Sequence, residues 1–105
     1  MSSMIVIPPK TSGETNQVLF DFLSQLVNGD TVSSATATAT VWSGTDTNPS
    51  AVIGGTPTVS GTSQVYVKLT GGVNGNVYLI TVTASTAQGN APVIQTYLAV
   101  NNIPL

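Results

Sequence analysis

Residues 70–86, T-G-G-V-N-G-N-V-Y-L-I-T-V-T-A-S-T, constrain this chain more than any other stretch. A glycine-rich turn feeds a long alternation in which Tyr78, Ile80, Val82 and Ala84 share one face and Leu79, Thr81 and Thr83 the other. A period of two is that of a half-buried strand, and its apolar face needs a second layer to cover it. The same period recurs along the chain. Val18, Phe20 and Phe22 alternate with Leu19 and Asp21. Ala35, Ala37, Ala39 and Val41 alternate with Thr36, Thr38, Thr40 and Trp42. Val65, Val67 and Leu69 alternate with Tyr66 and Lys68, and Thr96, Leu98 and Val100 flank an outward Tyr97. With turn signals at short intervals and no helix of useful length, about seven strands in an antiparallel β-sandwich are expected.

Tyr78 sharpens that expectation. A tight turn, then a tyrosine, then small or branched residues at every second place resembles the tyrosine corner of immunoglobulin-like sandwiches, where the phenol closes a hydrogen bond across a loop. Tyr78 is therefore expected to be a structural pin, with Phe20 and Phe22 in the core. The fold class is all-β, an immunoglobulin-like sandwich preceded by an extended N-terminal arm, with a small barrel as the rival. Residues 1–16 form the arm, 17–100 the sandwich and 101–105 a short apolar tail.

Composition removes most chemistry. The 105 residues include no cysteine and no histidine, which leaves no disulfide, thiolate metal site, imidazole base or usual nucleophile pair. No catalytic residue, metal ligand or cofactor site is expected. Lys10, Lys68, Glu14, Asp21, Asp30 and Asp46 carry all the charge, for a net −2, so no basic patch exists to neutralise a nucleic-acid backbone. No stretch has the length of a membrane span, and Ile5-Val6-Ile7 is too short for the apolar part of a signal peptide.

Local patterns fill in the rest. Pro8-Pro9 keeps the arm extended, and residues 11–16 offer nothing to bury. Such an arm reads either as a disordered leader or as a hook whose Ile5, Val6 and Ile7 add a strand to a neighbouring subunit's sheet. Residues 23–27 break the alternation and read as one helical turn closed at Asn28-Gly29, with Phe22, Leu23 and Leu26 plugging the core and Gly29 in the left-handed conformation. Asp30, beginning the next strand, reads as a cap for backbone amides. Asp46 and Asn48 lie in a loop with too few carboxylates for calcium, and an Asx-type turn explains them. Residues 51–53 read as a short strand, and Gly71-Gly72 is no phosphate loop, since no lysine or helix follows. Trp42 and Tyr97 point outward and are candidate contact residues, as are Ile103 and Leu105 of the tail.

Two separated motifs then carry a resemblance. F-D-F-L-S-Q-L-V-N-G-D-T-V-S-S-A-T-A-T-A at residues 20–39, and L-T-G-G-V-N-G-N-V-Y-L-I-T-V-T-A-S-T-A-Q-G-N at residues 69–90, resemble small virion proteins of tailed bacteriophages. These include head decoration, cement and fiber-tail adaptor proteins, which share an F-D-x-x-x-x-L-x-x-G-D/E-T-I/V opening and a G-G-x-x-G-x-x-Y hairpin. The likeness covers most of residues 20–100, departs in the longer 44–62 region, and leaves out the arm and the tail.

The resemblance implies a non-enzymatic structural protein, made in the host cytoplasm and built into the phage particle. A capsid decoration or cement protein that binds the major capsid protein and stabilises the head is the first reading. A head-tail or fiber-tail adaptor bound to other virion proteins is the second. A carbohydrate-binding sandwich using Trp42, Tyr66 or Tyr97 as stacking platforms is the third. An uncharged body with sticky ends further suggests a cyclic homo-oligomer, with a trimer favoured.

Overall fold

The computed structural model describes the backbone of residues 2–6 and the whole of residues 10–101. The strands are β1 (Ser2–Val6), β2 (Thr15–Asp21), β3 (Val32–Ser43), β4 (Thr58–Ser60), β5 (Gln64–Thr70), β6 (Val77–Thr86) and β7 (Val93–Ala99). They form two sheets, one in the order β1-β7-β6-β3 and the other β2-β5-β4. Among the described strands the pairings are antiparallel except that of β1, which runs parallel to β7 with Ser2 opposite Val93. The protein is thus all-β and two-layered.

One core lies between the layers, built by the alternation. Phe20, Val65, Val67 and Leu69 enter it from one sheet, and Ala35, Ala39, Tyr78, Ile80, Val82, Ala84, Ile94 and Leu98 from the other. Phe20 and Phe22 are fully buried, and each stabilises the fold by about 1.5–3 kcal/mol over an exposed ring. The alanines of β3 stand across the ladder from Ile80, Val82 and Ala84, so small side chains on one strand complement large ones on the next. The threonines on the opposite face of β3 are exposed.

Four features differ from the sequence reading. Leu23 does not plug the core: it stands 65% exposed at the start of a 3-10 turn, Leu23–Gln25. The turn ends there because Leu26 is already extended, and this turns Leu26 alone onto the core. Gly29, at φ +83°, belongs to a separate turn closed by the Asp30 N–H to the Val27 carbonyl, 3.0 Å. Residues 51–53 are no strand; Pro49 opens a 3-10 turn, Pro49–Val52, that drops Val52 into the core, and only Ile53 makes a bridge, to Leu69.

The arm differs most. β1, which carries Ile5 and Val6, pairs with β7 of its own chain, while Ile7 lies outside the described residues, as do Ile103 and Leu105. The segment that follows inserts Lys10, 1% exposed, with its N–H on the Ala99 carbonyl and its carbonyl on the Asn101 N–H, while residues 11–16 bury no side chain, as expected. The Lys10 Nζ donates to the carbonyls of Thr11 and Gly71, both at 2.6 Å. Burial lowers the Lys10 pKa, and the nearby Glu14 charge only partly offsets this. Glu14 in turn accepts from the Thr11 N–H at 2.7 Å, closing the tight turn that starts β2.

Candidate interaction surface

Loops at the two ends of the sandwich are fixed by buried polar groups. At one end β3 stops and β6 begins, and there the Tyr78 hydroxyl accepts from the Val73 N–H at 2.8 Å. Asn76, also buried, accepts from the N–H groups of Thr45 and Asp46 at 2.7 and 3.1 Å. Its side chain occupies the space a Cβ on Gly44 would need. Asp46 accepts from the Asn48 N–H at 2.8 Å, which makes the loop an Asx turn.

At the opposite end Asp30 joins the β2–β3 loop to the β6–β7 hairpin. Its carboxylate accepts from the N–H groups of Thr31 and Gln88 at 2.9 and 3.0 Å and from the Asn90 amide at 3.1 Å. Burial pushes its carboxyl up, but the hydrogen bonds from Thr86, Asn90, Gln88 and Thr31 outweigh this and hold it below the ordinary aspartate value. These groups are spent on structure. No three acidic residues gather at one point among the described residues.

That leaves the outer face of the β7-β6-β3 sheet. Trp42 is the extra residue of a β-bulge, since Val41 faces Tyr78 and Ser43 faces Val77. It stands 62% exposed, and its ring meets that of Tyr97 at 5.0 Å between centroids, tilted by 56°. Tyr97 sits on β7, opposite Leu79, and Leu79 faces Thr40 on β3. Trp42 therefore leans across the intervening strand, a span of about 9–10 Å at ordinary strand spacing. The tilted geometry is a favourable one for two aromatic quadrupoles.

Beside the pair the same face presents Leu79 and Thr40, and the next rows along it present Gln95, Thr81 and Thr38, then Thr83 and Thr36, none of them charged. An aromatic cluster on a hydroxyl-rich face can exclude water at its centre and satisfy hydrogen bonds at its rim, which is the anatomy of a protein-binding patch. Sequence reading singled out Trp42 and Tyr97 separately. Their contact depends on the bulge, which leaves no mark in the alternation. Tyr66, the third aromatic candidate, lies half-buried on β5 of the other sheet, between Leu19 and Thr58, and does not join them.

Comparison with known families gives one result that spans the body of the molecule. The model of the family described as podophage GP4 fiber-tail adaptor protein gp77 matches residues 10–98, from the buried lysine into the closing strand. No curated protein matches the chain closely enough to add to this. With most of its length covered, the chain belongs to the podophage fiber-tail adaptor family and is a phage virion protein.

Proposed function

We propose that this chain is a non-enzymatic adaptor of the phage tail, joining fibre to tail through protein–protein contacts. The family match over residues 10–98 carries the reading. It favours the adaptor, the second reading of the sequence, over the capsid decoration role placed first, for which the match offers no support. The uncharged face around Trp42 and Tyr97 is the surface assigned to the partner, since its aromatic centre and hydroxyl rim suit burial against another virion protein.

An immunoglobulin-like architecture fits the same role. The order β1-β7-β6-β3 over β2-β5-β4, the parallel pairing of first and last strands, and the Tyr78 hydroxyl anchored to a backbone N–H five residues upstream all support it. Such a scaffold holds both end loops rigid and leaves its faces free for docking.

Copy number and position on the particle test the proposal. Cryo-EM of intact virions, with quantitative mass spectrometry, is expected to place roughly a dozen copies at the tail, as the closed symmetry of a tail requires. Hundreds of copies spread over the capsid shell would overturn the adaptor reading and restore decoration.

A further inference from the structure

The free edges of the two sheets are unequally protected. β2 carries Asp21 and follows Glu14, and β4 is only three residues long and follows Pro57. Charge, brevity and proline are the devices that keep a strand edge from pairing with another chain. β3 has none of them. It is the longest strand, 12 residues, and the sequence V-S-S-A-T-A-T-A-T-V-W-S holds no charge, glycine or proline. Its bulges fall at the two ends, between Val32 and Ser34 and between Val41 and Ser43, which leaves the middle regular.

Among the described residues, β3 is the last strand of its sheet and pairs with β6 alone. In an antiparallel ladder every second residue turns its N–H and C=O away from its partner. Among the described residues, no backbone hydrogen bond joins residues 33–43 to anything but β6. The turn Pro49–Val52 and strand β4 pack beside β3 but take none of these groups.

We propose that the outer edge of β3 is a strand-pairing site for a second copy of this chain, with the two β3 strands antiparallel about a two-fold axis at Ala37. The sequence is its own complement in that register. Thr36 of one copy faces Thr38 of the other, Ala35 faces Ala39, and Ser34 faces Thr40, so hydroxyl meets hydroxyl on the outer face and methyl meets methyl on the inner. A register displaced by one residue would set alanine against threonine and mismatch the two faces. Threonine pairs directly across strands are favourable, and no like charges oppose one another. The product is one continuous sheet across an isologous contact, a dimer in place of the trimer favoured on the uncharged body and sticky ends.

The test uses the full chain and three proteins of matched fold by circular dichroism. Sedimentation equilibrium is expected to give a dimer for the wild type. Thr36→Lys with Thr38→Lys places like charges at both cross-strand pairs and is expected to give a monomer. Thr36→Lys with Thr38→Glu places opposite charges at the same pairs and is expected to restore the dimer. Both positions are exposed, so the sandwich tolerates the changes. A trimeric wild type, a dimer indifferent to the paired lysines, or failure of the lysine–glutamate combination to restore it would each overturn the proposal. A monomeric wild type whose β3 amides gain exchange protection only on the particle would assign the edge to another virion protein's strand, and would overturn it equally.

Discussion

The hydroxyl of Tyr78 donates a hydrogen bond of 2.7 Å to the Oδ2 of Asp46, a residue 32 positions earlier in the chain. The Tyr78 hydroxyl oxygen also accepts from the Val73 N–H, so one phenol joins the loop after β3 to the loop before β6. Burial raises the Tyr78 pKa, the Val73 N–H works against this, and the Asp46 carboxylate raises it further by hydrogen bond and charge. Tyr78 is thus a neutral donor throughout the physiological range, and both of its bonds persist there.

Tyr78→Phe keeps the fully buried ring and deletes those two bonds. It is expected to destabilise the fold by about 1–2 kcal/mol, since a partly buried N–H and a carboxylate oxygen each lose a partner. Urea unfolding should show a lower midpoint with an unchanged slope. An unaltered midpoint would mean that water replaces the phenol at no cost, and that Tyr78 is core and nothing more.

Gly44 and Gly55 both have positive φ, +139° and +109°, but different surroundings. A Cβ at Gly44 collides with Asn76, whose side chain cannot yield without releasing the N–H groups of Thr45 and Asp46; a Cβ at Gly55 meets nothing within 4 Å. Gly55→Ala is expected to cost about 1 kcal/mol from backbone strain, and Gly44→Ala about 2–4 kcal/mol from strain and collision together. Equal losses in thermal or urea melts would remove Asn76 from this account.

How far the sequence disclosed this structure depends on the range of each interaction. Tyr78, Ile80, Val82 and Ala84 were legible as one face because burial on one side of a strand writes its own period into the chain. Leu23 was misplaced because a 3-10 turn of three residues is too short to show a period, and the extended Leu26 alone turns inward. Val52 and Ile53 look like strand residues, but Pro49 at the start of a turn outweighed their β-propensity. Lys10 gave no signal at all, since its acceptors are backbone carbonyls that any residue could supply. The partners of Tyr78 and Asp30 lie tens of residues away, and only the folded topology brings them together.

Asp30 makes stability depend on acid. Its folded-state pKa is below that of the unfolded chain, so the unfolded state binds the extra proton as the pH falls. The contribution of Asp30 is complete above the ordinary aspartate range and is lost as the pH drops through the depressed folded value. Asp30→Asn is expected to lower stability at neutral pH and to flatten its decline below about pH 4, the ordinary aspartate value. Urea midpoints measured from neutral pH down to acid check this. A decline just as steep in the variant would place the acid-sensitive group elsewhere.

Trp42 is the only tryptophan, so the proposed docking face carries its own reporter. Being mostly exposed, the side chain contributes little by burial. Trp42→Ala is expected to cost only the pairing with Tyr97, about 1 kcal/mol in a melt. Binding should respond more strongly: a tryptophan desolvated at the centre of an interface is worth about 2 kcal/mol or more, a loss of tenfold or greater in affinity. Particles grown with the variant should therefore lose the adaptor on dilution, while wild-type particles keep it. Acrylamide should quench Trp42 in the purified protein and reach it poorly where the protein is docked on isolated tails. Full retention of the variant together with unchanged quenching would show that the aromatic face stays wet on the particle, and the partner would then have to be sought on the opposite sheet.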